Sequence, residues 1–245
     1  MKTLLLPLLA AFGAEVPPTP VAQPPRVAII DSGVARTPEL APLVSAEYDM
    51  AGSNRPAFQP RYDHGTMVAT ILARAANRNV DIISIRIDDP SGCPEGANPP
   101  CQPSARPIAA AIRRATELNV DAINISLALS RDPEITQAIR EAGEKGIRVV
   151  LAAGNDGFAH PGNLPQARAA YPNAVLVGAV DSTGQVWSGT NRPDANPDGY
   201  LYHWQLGVQV PTTAADGRPM IATGTSFAAP IETARQLAAR TSASL

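Results

Sequence analysis

Four short segments carry the residues of this chain best suited to making and breaking bonds. They are Ile30-Asp31-Ser32-Gly33, Asp63-His64-Gly65-Thr66, Ala152-Ala153-Gly154-Asn155 and Gly224-Thr225-Ser226-Phe227-Ala228-Ala229-Pro230. Between them they supply what nucleophilic acyl transfer needs. A serine hydroxyl is a weak nucleophile at neutral pH and needs a base within hydrogen-bond reach. An imidazole can take that proton and return it to the leaving group. A carboxylate on the other ring nitrogen holds the tautomer and stabilises the imidazolium. A side-chain amide, with a backbone N–H at a helix N-terminus, can receive the oxyanion. Ser226, His64, Asp31 and Asn155 have the chemistry for these four roles. Singly, each segment has a plainer reading. Asp-Ser-Gly is a common turn, Asp63 or His64 could cap a helix, and Ala-Ala-Gly-Asn could end a strand in a left-handed turn. The last segment resists such a reading, because Pro230 stands four residues into an expected helix, where it costs a hydrogen bond unless it still lies in the first turn.

The elements needed to position these groups follow from hydrophobic periodicity. Val27–Ile30, Ile82–Ile87, Asp121–Leu127, Ile147–Ala152 and Val175–Val180 read as strands. His64–Ala76, Ile108–Leu118, Pro133–Glu144 (ended by Gly146) and Thr225–Ala239 read as helices. Strands alternating with helices of about a dozen residues predict an α/β fold, three αβα layers around a mostly parallel central sheet. In such folds function gathers where strands end and helices begin, and the four segments lie there. Residues 181–216, rich in Gly, Pro, Asn and Asp, give no clear pattern, and Trp187 and Trp204 are expected to pack that region. His160 and His203 have no motif around them and are expected on the surface or in loops.

Composition excludes several classes. The 245 residues are 44% hydrophobic, too much for a disordered chain, and 4% aromatic, so the core must be aliphatic. A net charge of −2 gives no reason to expect a nucleic-acid partner. The longest apolar run, Leu4–Phe12, is far short of the ~20 residues of a spanning helix. One lysine followed by that run and small residues reads as a signal peptide over 1–14, and five prolines among residues 15–26 make 15–25 an extended linker. The folded domain is expected over 26–245, in a secreted or periplasmic protein. Cys93 and Cys101 would pair after export, closing a loop worth roughly 2–3 kcal/mol; in a cytosolic chain they would stay free thiols.

The four segments, in this order, resemble those of subtilisin-like serine peptidases, the subtilase family, over about residues 26–240. The resemblance implies a subtilisin-like fold and a serine endopeptidase acting through an acyl-enzyme. It assigns Asp31 as orienting acid, His64 as base, Ser226 as nucleophile and Asn155 as oxyanion donor. It further implies that Ser126-Leu127-Ala128 borders the cleft as an edge pairing with an extended protein or peptide substrate. Ala152, Ala153 and Gly154 would line the pocket for the residue before the scissile bond.

This chain departs from its relatives at several points. Many of them carry glycine where Ala128 stands, and the added methyl predicts a preference for small or medium side chains at that pocket. With only 30 residues of this sequence before Asp31, too few for a folded pro-region, the domain is expected either to fold unaided or to use a separate folding partner or inhibitor. Asn77–Asp81 leaves no room for the calcium-binding insertion common in relatives. The stretch 194–198 reads as turn formers, and no metal or cofactor is expected. The Cys93–Cys101 loop is expected to stiffen the other cleft wall, or else to be a staple away from it. An α/β-hydrolase esterase would place its acid and histidine after the serine, yet only 19 residues follow Ser226 and none is histidine. The remaining alternative is a non-catalytic or partner-activated peptide-binding protein on the same scaffold.

Overall fold

A computed structural model describes residues 23–195 and 198–243. The signal peptide read over 1–14 and most of the linker lie outside the described residues. The strands are β1 (Arg26–Asp31), β2 (Val44–Asp49), β3 (Asp81–Arg86), β4 (Ala122–Ile125), β5 (Arg148–Ala152), β6 (Ala174–Val180), β7 (Leu201–Leu206), β8 (Val210–Thr213) and β9 (Pro219–Ala222). The helices are α1 (His64–Ala75), α2 (Ala105–Glu117), α3 (Pro133–Glu144), α4 (Leu164–Ala169) and α5 (Thr225–Ala243). β2-β3-β1-β4-β5-β6-β7 form one parallel seven-stranded sheet, and β8-β9 an antiparallel hairpin.

β1 shows why its sequence is almost unbroken apolar. Val27 and Ile29 face a core shared with α1, while Ala28 and Ile30 face one shared with α2 and α3. Both faces of a parallel sheet are covered, so alternation has no place. α5 lies over β5 and β6 through fully buried Ala228 and Ala229 against Val150, Val177 and Ala179. This is the expected three-layer αβα arrangement, with a core of isoleucine, valine, leucine and alanine. α1 ends at Ala75 and β3 begins at Asp81, the short link expected from sequence.

The chain leaves β1 outward to β2 and β3, then crosses back so that β4 pairs with the other side of β1. Adjacent strands whose connections depart in opposite directions open a crevice at their carboxyl ends. Asp31 and Ser126 sit there. Beyond the strands read from sequence, the large sheet has two more: β2, whose Glu47 and Asp49 pair with buried Arg86 at 3.3 and 3.0 Å, and β7 on the far edge.

Pro230 lies inside α5, beyond its first turn. The N–H that proline lacks would have bonded the Ser226 carbonyl, four residues back. Ser126 Oγ donates to that carbonyl instead, at 2.8 Å. Asn124 Nδ2 donates to Ser126 Oγ at 3.0 Å, and Thr233 Oγ1 donates to Asn124 Oδ1 at 2.9 Å. A buried polar chain thus ties the start of α5 to β4.

A second anchor holds α5 further along. The Glu232 carboxylate, fully buried, accepts from Gln205 at 2.7 Å, Gln236 at 2.6 Å and the Arg235 guanidinium at 2.7 and 2.8 Å, with His203 Nδ1 at 2.8 Å. His203 is therefore a half-buried strand residue in an ion cluster, whereas His160 is exposed and stacks on Phe158. Burial opposes charge on Glu232, but its donors outweigh burial and hold the carboxyl well below the usual range. A depressed pKa stabilises the fold above the unfolded-state value near 4.5, and that contribution fades as pH falls through the folded value. Glu232→Gln should cost about 2 kcal/mol, lowering the melting temperature at pH 7 by about 4–8 °C. Melts in a pH series should show the gap from wild type narrowing below pH 4.5; a gap constant with pH would contradict this account.

Candidate active site

Asp31 ends β1 with no solvent exposure, and His64 opens α1 beside it. His64 Nδ1 lies 2.9 Å from each Asp31 carboxylate oxygen. The Ser32 N–H donates to Oδ1 at 2.7 Å, fixing the carboxylate from the other side. Gly65 lets the two elements meet: a Cβ there would stand 2.3 Å from the Gly33 carbonyl oxygen. Thr66 Oγ1 accepts from the Ala35 N–H at 3.0 Å, and Ser32 Oγ from the Gly65 N–H at 3.1 Å. Asp63 stands at the N-cap of α1 but its side chain makes no capping bond; its carboxylate accepts from the Ala215 N–H at 2.9 Å. Burial opposes charging of the His64 ring, but the Asp31 charge and hydrogen bond outweigh it, so the imidazole pKa lies above its ordinary value.

Ser226 stands in the first turn of α5, where backbone N–H groups are free of helical partners. Its hydroxyl donates to the Ser126 carbonyl at 3.0 Å rather than to His64. The Asn155 side chain is oriented by Thr225, whose N–H and hydroxyl both donate to Asn155 Oδ1, at 2.9 and 2.8 Å. With the oxygen so used, Nδ2 must be turned away from Thr225 and free to donate. Thr225 Oγ1 also accepts from the Gly154 N–H at 3.1 Å. Gly154 has φ +105°, and a Cβ there would come 2.3 Å from Asn191 Nδ2.

His64, Ser126, Leu127, Ala128, Ala152, Gly154, Asn155 and Ser226 line one cleft of about 690 Å³. Ala153 does not. It is fully buried, bonding Val177 through its N–H and Gly162 through its carbonyl. Adjacent backbone in an extended segment faces opposite ways, so only its neighbours reach the cleft.

Cys93 and Cys101 form a disulfide with Cα atoms 5.2 Å apart. Asn98, Pro99 and Pro100 within the loop and Gln102 just after it line the cleft, so the loop is one of its walls. Tyr62 Oη accepts from the Cys93 N–H at 2.9 Å and Gln102 Nε2 donates to the Ile87 carbonyl at 2.6 Å, seating this wall on the sheet. Among the described residues no group of three or more His, Cys, Asp or Glu side chains converges as metal ligands, and no helix is long and apolar enough to cross a membrane.

Sequence reasoning missed Thr225 and Asn163. Thr225 stood inside a recognised segment, but only the fold brings it against Asn155. Asn163 lies in Gly162-Asn163-Leu164-Pro165, whose composition signals a turn and nothing more.

Comparison with known proteins agrees with this geometry. A model of the subtilase family, Peptidase S8, matches residues 23–239. Subtilisin DY of Bacillus licheniformis is 30% identical over 215 residues, covering 84% of this chain and 72% of that protein. Subtilisin J of Geobacillus stearothermophilus is 28% identical over 216 residues, and the chain spans about half of its length, 52%. Among solved structures, a cold-adapted subtilisin-like serine proteinase superposes with a TM-score of 0.71 at 22% identity, covering 89% of this chain and 75% of that one. A mutant form of the protease domain of PatA gives 0.68 at 20% identity, covering 89% and 81%. With an Asp–His pair buried at the switch point, a serine at a helix N-terminus in the same cleft and a family match over nearly the whole described chain, the protein belongs to the subtilase family of serine-type endopeptidases.

Proposed function

We propose that the chain hydrolyses peptide bonds through Ser226, with His64 as general base, Asp31 as its orienting partner and Asn155 Nδ2 as an oxyanion donor. The observation that carries this reading is the Asp31–His64 pair, 2.9 Å apart, at a cleft that also presents Ser226. Rotation about the Ser226 Cα–Cβ bond takes its hydroxyl from the Ser126 carbonyl towards the imidazole. Staggered serine rotamers differ little in energy, and catalytic hydrogen bonds often tighten only with substrate bound. Oγ then attacks the scissile carbonyl as its proton passes to His64 Nε2. The oxyanion is received by Asn155 Nδ2 and N–H groups at the start of α5. His64 returns the proton to the leaving amine, and water repeats the sequence on the acyl-enzyme. The substrate lies extended along Ser126–Ala128, with the disulfide-closed loop as the opposite wall. The disulfide supports an oxidising compartment, secreted or periplasmic, and one relative, 27% identical over 178 residues, is the minor extracellular protease Epr of Bacillus subtilis.

A second reading, a peptide-binding protein that is inactive or activated by a partner, is favoured by one observation: the Ser226 hydroxyl is engaged by Ser126 and not by His64. Fluorophosphonate labelling of the full chain beside Ser226→Ala separates the two. Labelling lost in the variant supports an assembled nucleophile. An unlabelled wild type that nevertheless melts cooperatively would favour the binding protein.

A further inference from the structure

β4 and β5 pair in register as far as Ile125 and Leu151, and beyond that point their continuations part. The gap between 126–129 and 152–156 opens in front of Ser226, and both segments line the cleft. Asn163 is set across this gap. Its side chain is buried, with a fractional exposure of 7% for the residue, and both amide donors and the amide oxygen are engaged by the two segments. Nδ2 donates to the Leu127 carbonyl at 2.8 Å and to the Ala152 carbonyl at 2.9 Å, while Oδ1 accepts from the Leu129 N–H at 2.8 Å.

The backbone holds this amide in place. Asn163 has φ 56° and ψ 14°, the left-handed region that asparagine tolerates better than most residues, immediately before α4. Leu127 and Leu129 point their backbone groups to one side of the extended segment, and residues between them to the other. With the Leu127/Leu129 edge taken by a side-chain amide, the opposite edge is presented to the cleft. Among the described residues the Ala128 backbone N–H and carbonyl have no partner, and Ala128 is exposed.

We propose that Asn163 is a positioning residue that fixes the spacing of the two segments. It thereby selects the size of the substrate side chain next to the scissile bond. Acting through Leu127 and Ala152, it also commits one edge of 126–129 so that the Ala128 edge remains for an extended peptide. The inference rests on the endopeptidase reading above.

The test uses the full chain and peptides that differ only in Ala, Leu or Phe before the scissile bond. It compares wild type with Asn163→Gly and Asn163→Asp, both of which accept a positive φ. Asn163→Asp keeps the acceptor for Leu129 and replaces the donors to Leu127 and Ala152 with an oxygen. Both variants should change the relative kcat/KM for Ala and Phe peptides by about 10-fold, with the change carried by KM and kcat moving no more than about 3-fold. A fall by the same factor for all three peptides, or an Asn163→Asp variant with wild-type discrimination, would overturn the proposal. Fluorophosphonate labelling of wild type separates this failure from that of the endopeptidase reading. If wild type is not labelled, the spacing role is judged by amide hydrogen exchange at Leu129. Slow exchange in wild type and fast exchange in Asn163→Gly supports it, and fast exchange in wild type overturns it.

Discussion

Replacing Asp31 with asparagine is expected to lower kcat/KM by about 10⁴-fold while leaving a folded protein. The size of the effect follows from how Asp31 is held. Its Oδ1 accepts the Ser32 N–H at 2.7 Å, so an asparagine must keep its carbonyl oxygen there. The amide nitrogen then falls where Oδ2 stands, 2.9 Å from His64 Nδ1. An amide N–H facing Nδ1 favours the tautomer that carries its proton on Nε2. The histidine then meets the cleft as a donor and cannot take the serine proton. The pH profile carries a second signature. In wild type the Asp31 charge holds the His64 pKa above its ordinary value despite burial. With His64 as the proposed base, activity needs the neutral ring and should be lost as pH falls through that raised value. In Asp31→Asn, burial acts unopposed and the acid limb of the residual activity should move to lower pH. The raised pKa has the opposite sign for stability: it favours the fold below the unfolded-state value and is lost as pH rises through the folded one. Steady-state kinetics from pH 5 to 9 would check both points. A loss under about 10-fold, or an unmoved acid limb, would remove Asp31 from the proposed mechanism.

The second large effect is expected at Asn155. Asn155→Asp retains Oδ1 as acceptor for both Thr225 donors and changes only Nδ2, the group proposed to receive the oxyanion. A hydrogen bond to a charged group is worth about 1.5–3 kcal/mol, and a carboxylate adds repulsion of the developing charge. The kcat should therefore fall by about 10²-fold or more, with KM changed by less than about 3-fold, because the bond forms only in the transition state. Asn155→Leu would be a poorer test, since it also strips two buried donors of their acceptor. A rise in KM with kcat preserved would mean that Asn155 contributes to ground-state binding instead.

These predictions rest on residues that the sequence made visible, because chemistry of this kind needs particular side chains in particular local settings. Asp31 after a β-branched run, His64 opening a helix and Ser226 within Gly224-Thr225-Ser226-Phe227-Ala228-Ala229-Pro230 all announce themselves without any tertiary information. So do the central strands, since a sheet covered on both faces demands continuous apolar runs such as Val27–Ile30. Gly65 and Gly154 stood inside the recognised segments, although the reason for them, backbone approaching within van der Waals distance of another element, becomes visible only in three dimensions.

What tertiary structure alone decided has a common cause: polar residues whose partners are far away in the chain. β2 is not among the strands read from sequence, and its Glu47 and Asp49 make sense only once β3 brings Arg86 between them. Pro230 looks like a helix breaker until Ser126, 100 residues away from Ser226, supplies the missing donor. His203 looks like a solitary surface histidine until β7 reaches Glu232 on α5. Asn163 looks like a turn former and proves to join two cleft walls. Ala153, grouped by sequence with its cleft-lining neighbours, faces the other way. Apolar burial is repetitive and leaves a periodic trace in the sequence. A hydrogen bond between distant segments satisfies one donor and one acceptor, leaves no period, and becomes legible only when the chain has folded around it.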